Sequence, residues 1–270
     1  MSTSQKECAI KKNPLKQKLL AGEAVLGVWS IIPSPVVAEI FAFGGIDFVI
    51  FDMEHGIFDV GALDGCIRAC ESAGSAPLVR IPGANPWAAQ WALDLGAYGI
   101  VVPQISNGIE ASAVVGMAKY SPNGSRGYNP FTRAAQYANP PNNQLGKLSN
   151  DFSLTCVIVE NQKGLDNLSQ ICSVPDLDVV YMGIYDLAVM MGCEGDTKNP
   201  KVVKVVHDSI SQILAAGKAA GMIVRNQADI SEALALGANF LVYSVDTFVI
   251  REAVVSAVSS FKNAQKVQFK

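Results

Sequence analysis

The stretch Phe48-Val49-Ile50-Phe51-Asp52-Met53-Glu54-His55-Gly56 decides how the rest of the chain is read. Four consecutive apolar residues, β-branched or aromatic, predict a strand buried on both faces. Two carboxylates and an imidazole follow at once, where such a strand surfaces. Titratable groups crowded at one strand end are expensive to bury unless they bind something or move protons. His55 is one of only two histidines in the chain.

Outward from this stretch, strand-like and helix-like blocks alternate almost to the end. The expected strands are Val25–Ile31, Asp47–Phe51, Pro77–Ile81, Gly99–Gln104, Leu154–Glu160, Asp178–Met182, Met222–Arg225 and Asn239–Ser244. Each is short and rich in Val, Ile, Phe or Tyr. Amphipathic stretches long enough for helices lie between them, among them Pro35–Phe43, Pro86–Leu95 and Val202–Ala219. Asn85-Pro86 supplies an N-cap and a first-turn proline, and Gly96 closes that helix. Eight β-α units in 270 residues point to a single α/β domain, a closed (β/α)8 TIM barrel over residues 15–262. Residues 1–14 form a polar lead-in, and 263–270 a tail that frays or docks on a partner. A doubly wound sheet is the alternative, but no G-x-G-x-x-G follows the first strand. One segment, Tyr120–Asp151, breaks the rhythm with Ser121-Pro122-Asn123-Gly124 and Asn139-Pro140-Pro141; a loop of that size is expected to serve function or an interface.

Composition narrows the function classes. Half of the residues are apolar and the net charge is −3, so nothing favours nucleic acid or an anionic membrane as partner. The first fourteen residues lack the apolar core of a secretory signal, and no apolar run reaches membrane-spanning length. The six cysteines show no C-x-x-C pair and no metal-ligand spacing, as expected of reduced thiols in a cytoplasmic protein.

In a barrel of this kind the active site lies at the C-terminal strand ends, so the informative residues are those on which the strands end. The second ends in Asp52, Glu54 and His55, the third in Arg80, the fourth in Gln104, and the fifth in Glu160. The sixth reaches Asp186 through Gly183-Ile184-Tyr185, and the seventh ends in Arg225. Glu160 and Asp186 offer oxygen ligands only, which suits a hard divalent cation better than structural zinc. Such an ion leaves positions open for water and a chelating 2-oxo acid. Arg80 is placed to steady an enolate oxygen, and His55 to carry a proton near neutral pH. An acid must orient His55. Asp52 is one candidate; Asp94, oddly placed against the dipole of its helix, is the other. Arg225 and Tyr185 are expected at the mouth, where an arginine pairs with a carboxylate or bridges hydroxyls. No lysine lies inside a strand, which weakens a Schiff-base mechanism.

These motifs resemble the metal-dependent 2-oxo-acid aldolases, the class II group that includes 4-hydroxy-2-oxoheptanedioate aldolase and 2-dehydro-3-deoxyglucarate aldolase. The matching stretches include Phe51-Asp52-Met53-Glu54-His55, Val79-Arg80-Ile81-Pro82 and Leu93-Asp94-Leu95-Gly96-Ala97-Tyr98-Gly99. Further matches are Tyr120-Ser121-Pro122-Asn123-Gly124-Ser125-Arg126-Gly127, Val159-Glu160-Asn161-Gln162-Lys163-Gly164 and Gly183-Ile184-Tyr185-Asp186-Leu187. The resemblance runs from about residue 15 to 262 with the motifs in family order. It implies Glu160 and Asp186 as ligands of Mg, Mn or Co, Arg80 against pyruvate or its enolate, and His55 with Asp94 as the proton-handling pair. It also implies a homohexamer, a trimer of dimers with an exchanged C-terminal helix.

Four positions depart from the family pattern. Ile158 stands where a glutamine is usual, Tyr185 where a small residue precedes the second ligand, Ser244 where a glycine is common, and Arg225 where the residue is often small. The expected function is therefore a carbon–carbon lyase that splits a 4-hydroxy-2-oxo acid into pyruvate and an aldehyde. Two other readings stand beside it: lysis of a 3-hydroxyacyl thioester or other pyruvate-enolate chemistry on the same scaffold, and a non-catalytic 2-oxo-acid-binding protein.

Overall fold

The computed structural model describes residues 12–138 and 141–268. The first half runs α1 (Pro14–Leu20), β1 (Val25–Ser30), α2 (Pro35–Phe43), β2 (Phe48–Asp52), α3 (Val60–Ser72), β3 (Ala76–Arg80), α4 (Pro86–Asp94), β4 (Gly99–Val102) and α5 (Gly108–Ala118). It continues with α6 (Asn142–Phe152), β5 (Leu154–Val159), α7 (Gln162–Asp166), α8 (Leu168–Cys172), β6 (Val179–Met182) and α9 (Ile184–Met190). The last elements are α10 (Pro200–Ala215), β7 (Ala219–Val224), α11 (Gln227–Ala235), β8 (Phe240–Val245) and α12 (Asp246–Gln268). The strands close in sequence order into a parallel barrel, with β8 returning to β1. The expected (β/α)8 architecture is the one the chain adopts.

Helices cover the outside of the sheet and side chains fill its inside, so β2, β4, β5 and β6 are buried along their whole length. Inside, Phe48 and Phe240 stack with ring centroids 4.3 Å apart. Gly27 makes room for them, since a Cβ there would lie 2.3 Å from the Phe48 ring. One boundary differs from the sequence reading in an instructive way. The residues Ala219-Ala220-Gly221 carry no strand signature, yet they pair with Val179-Val180-Tyr181, so β7 begins at Ala219 rather than Met222. Partner strands, not local preference, decide small residues of this kind.

The N-terminal end of the barrel is closed by α1. Asn13 is buried; its side-chain oxygen accepts the Leu15 and Lys16 N–H groups, and its amide donates to the carbonyls of Tyr98 and Phe152. The last residues of the expected lead-in are thus already part of the fold; residues 1–11 lie outside the described residues. The long segment after α5 is not structureless either. Lys119 is buried and its ammonium donates to the carbonyls of Asn150 and Ser153, each at 2.6 Å, which ties the end of α5 to α6.

At the other terminus the expected tail is helical as far as the described residues reach. α12 continues without a break to Gln268, so residues 263–268 are helix. The helix is anchored by Asp246, a fully buried carboxylate that accepts from Ser30 Oγ at 2.8 Å and from the Ile31 and Ile32 N–H groups at 2.9 Å. Beyond its first turns α12 leaves the barrel. Ile250, Val254, Val258 and Phe261, spaced as one helical stripe, are 44–63% exposed.

Candidate active site

The C-terminal ends of β2, β3, β5 and β6 surround a cavity of about 230 Å³. His55, Arg80, Glu160, Tyr185 and Asp186 line it together, with Trp29, Ile158 and Ile223 among the apolar walls. A larger space of about 470 Å³ lies where β2 and β3 begin; Lys12, Lys18, Asp47 and Glu71 line it, with no imidazole among them.

Arg80 is the best-anchored group of the site. β2 and β3 pair so that Asp52 stands opposite Arg80, the last residue of each strand. Asp52 is 1% exposed and takes the guanidinium on both its oxygens, from Nε at 2.8 Å and from Nη2. Glu54 takes Nη1 at 3.1 Å, and the guanidinium carbon lies 4.5 Å from the centre of the Trp29 ring. Three of five guanidinium donors are thereby used, and a planar fork held so leaves two N–H groups with fixed directions. Burial opposes the charge, but the pairing with Asp52 and Glu54 outweighs it and raises the pKa of Arg80.

Asp52 therefore does not orient the imidazole of His55, as one sequence reading expects. Its Oδ1 accepts the backbone N–H groups of Glu54 and His55, at 2.9 and 3.2 Å, and so shapes the turn that carries His55. Asp94 does not meet His55 within one chain. It closes the end of α4, pairs with Arg126 at 2.6 Å and belongs to a different space, with Trp91 and Phe131. Among its described residues, segment 120–152 supplies Arg126 to this pairing and none to the lining of the active cavity. It folds back on the barrel flank, where Arg133 donates to the Leu95 carbonyl at 2.9 Å.

Glu160 and Asp186 are the candidate metal ligands. Glu160 is 6% exposed, and its carboxyl is pushed up to about 7 by burial, with Asp186 and Glu54 adding to the rise. Its Oε1 accepts the backbone N–H of Gln104 at 2.9 Å. That contact corrects the expectation for Gln104: the backbone, turned by a φ of 62°, serves the site, and the exposed side chain does not line it. Gly183 lies so close that a Cβ there would stand 2.4 Å from Glu160 Oε2. Among the described residues no group of three or more His, Cys, Asp or Glu forms a complete cage. The residues present fit a cation all the same: Glu160 is desolvated and is repelled by the exposed Asp186 carboxylate, a strain that a positive ion held by the two would relieve while leaving room for water and substrate.

Three contributors are missed by reading strand ends. Trp29 backs Arg80, Asp246 holds Ile31 at the cavity wall, and Gly183 admits the Glu160 carboxylate. A usable signal existed only for Asp246, an acid at the first turn of a helix. The glycine usual at the position of Ser244 also finds its reason here. The φ of Ser244 is 53°, a left-handed conformation that glycine enters freely and that costs another residue about 1 kcal/mol.

The family model for HpcH/HpaI aldolase/citrate lyase matches residues 26–253. The chain belongs to this family. It is 34% identical over 256 residues to the 2-keto-3-deoxy-L-rhamnonate aldolase of Klebsiella pneumoniae, covering 94% of this chain and 95% of that one. It is 30% identical over 251 residues to the hydroxypyruvate/pyruvate aldolase of Roseovarius nubinhibens, covering 93% and 97%. A crystal structure of an HpcH/HpaI aldolase/citrate lyase family protein from Burkholderia cenocepacia superposes with a TM-score of 0.88 at 29% identity, over 93% of this chain and all of that one. This HpcH/HpaI family member is an aldolase, a lyase acting on a carbon–carbon bond. Aldolases of the family work with a divalent metal ion. No helix among the described residues is long and apolar enough to cross a membrane.

Proposed function

We propose that the protein cleaves a 4-hydroxy-2-oxo acid into pyruvate and an aldehyde, or joins the two, with Glu160 and Asp186 holding a divalent ion such as Mg, Mn or Co. The observation that carries this reading is the convergence of these two carboxylates with Arg80 and His55 on one small cavity. When bound, the ion supplies Lewis-acid polarisation of the keto oxygen. Arg80 directs its two remaining N–H groups at the oxygen on which negative charge grows, and its anchors keep it from reorganising as the charge forms. In the cleavage direction His55 takes the proton of the C4 hydroxyl. The C3–C4 bond then breaks, its electrons pass into the enolate of pyruvate, and a proton is returned at C3. Trp29, Ile158 and Ile223 keep water from the carbanion-like carbon.

The reading is tested without knowing the aldehyde. Pyruvate alone, with metal-loaded protein in deuterated solvent, loses its methyl signal in proton NMR. The loss stops when a chelator removes the ion, and collapses in His55→Ala. Folded, metal-loaded protein that binds pyruvate yet leaves the methyl signal intact for hours is a binding protein, and the proposal is wrong.

Assembly into several copies, a homohexamer in the fullest form, is part of this proposal. The exposed apolar stripe of α12 supports it, since such a stripe on a helix leaving its own barrel is covered by another copy. Asp94, remote from His55 in its own chain, then reaches an imidazole only across such a contact. Light scattering that returns the 28.6 kDa of one chain removes this part. The five described cysteines are free thiols, four of them buried, which supports a reducing, cytoplasmic setting.

A further inference from the structure

We infer that the hydroxyl of Tyr181 is a further substrate-binding group of the active cavity, a neutral donor to an oxygen of the bound 2-oxo acid. The inference rests on the aldolase reading above and deepens it. Tyr181 belongs to β6, where strand register sets Ile158 of β5 on one side of it and Gly221 of β7 on the other. Its ring needs the space that Gly221 leaves, since a Cβ there would stand 2.6 Å from Tyr181 Cδ2. From β6 the ring reaches β1, a strand that is not its neighbour in the barrel, and meets the Trp29 ring edge-on with centroids 5.8 Å apart. The phenol therefore spans the barrel interior and forms part of the floor of the cavity, which it lines together with Ile158, Arg80 and Glu160.

The protein uses only one side of this hydroxyl. It accepts the Trp29 Nε1–H at 3.4 Å, and among the described residues its own proton has no acceptor. Tyr181 is 4% exposed, and burial pushes its pKa up although the Trp29 N–H and the charge of Arg80 oppose the rise, so the proton stays in place. What remains is a buried donor, and such a group is costly to leave unpaired. The wall around it offers nothing, because Ile158, Ile184 and Ile223 are apolar. Tyr185, the other phenol of the cavity, is exposed at the mouth, where its hydroxyl lies 3.3 Å from Arg225 Nη1. A 2-oxo acid supplies the missing acceptor, since its carboxylate and keto oxygens accept hydrogen bonds and keep doing so in the enolate. Trp29 couples the phenol to Arg80: one indole gives its N–H to Tyr181 and its face to the guanidinium, 4.5 Å away. Both donors are thus held in a fixed relation before substrate arrives.

The test is isothermal titration of pyruvate into Mn(II)-loaded protein, wild type against Tyr181→Phe, which removes one oxygen and keeps the ring against Gly221 and Trp29. Pyruvate affinity falls by about 10–100-fold, the worth of one hydrogen bond to a charged partner. Mn(II) affinity in the absence of pyruvate is unchanged, because the hydroxyl bonds Trp29 and neither carboxylate. Adding Ile158→Gln to Tyr181→Phe recovers most of the lost pyruvate affinity, since register sets an amide at 158 beside the same space. A role confined to packing Trp29 gains nothing from that amide. If Tyr181→Phe does not fold, Tyr181→Met takes its place. Unchanged pyruvate affinity in the folded variant, or a loss that Ile158→Gln leaves untouched, overturns the inference and leaves Tyr181 as a support for Trp29. Methyl exchange by the wild type separates the two levels. Exchange together with unchanged affinity in the variant removes only this inference, whereas a wild type that neither binds pyruvate nor exchanges its protons removes the reading beneath it.

Discussion

Arg80→Ala slows pyruvate methyl exchange by roughly two to three orders of magnitude, the scale seen when one preorganised oxyanion donor is lost. The size of the effect follows from how the side chain is held. Asp52 grips two of its nitrogens and Glu54 a third, so the remaining N–H groups point in fixed directions before any charge develops. Arg80→Lys is no rescue, because an ammonium cannot satisfy Asp52 on both oxygens and still face the substrate. Removing Arg80 has a second consequence: Asp52, 1% exposed, is left as an unpaired buried carboxylate at a cost of about 3–5 kcal/mol. The double variant Arg80→Ala/Asp52→Asn separates the two. Asparagine keeps an oxygen for the Glu54 and His55 N–H groups and carries no charge, so thermal stability recovers while exchange stays slow. Recovery of both together would mean that Arg80 acts only by neutralising Asp52.

Gly183→Ala weakens divalent-metal binding by about 10–100-fold, the range for residues that orient metal ligands rather than ligate. A Cβ at this position would lie 2.4 Å from Glu160 Oε2 and 2.5 Å from Glu160 Cβ. The second distance matters more. The tip of a side chain swings aside cheaply, but Cβ is fixed to the end of β5, so either the strand end or α9 must shift. α9 carries Asp186 three residues further on, and the shift therefore moves one ligand relative to the other. Overpacking of this kind also costs about 1–3 kcal/mol of stability. Isothermal titration with Mn(II) reads the affinity, and thermal unfolding of the metal-free protein reads the strain. Unchanged affinity in a folded variant would falsify the close approach of Gly183 to the ligand.

The candidate site was legible in its members more than in its wiring. Glu160, Asp186, Arg80, His55 and Tyr185 were all found as polar residues following buried strands, and all line one cavity. The reason is local: a strand buried on both faces ends abruptly in sequence, and in a parallel barrel every strand ends at the same rim. Gln104 was found by the same rule and serves by its backbone, because a left-handed turn there sends the side chain outward. Which acid serves which base was not legible. Asp52 is three residues from His55 and 28 from Arg80, yet it binds the Arg80 guanidinium, because the register of β2 on β3 puts the two strand ends side by side.

The sequence by itself determined the eight-fold β-α rhythm, the barrel it closes into, the family to which the chain belongs, and the chemical types gathered at the rim. Each of these is written in residues near one another in the chain. Tertiary structure decided the pairing of Asp52 with Arg80, the withdrawal of Asp94 to Arg126, the anchoring of β1 and α12 by Asp246, and the contact of Arg225 with Tyr185. These depend on strand register and on which segments fold back against the barrel. They join residues 28 to 216 positions apart, a separation across which periodicity and local preference carry no information.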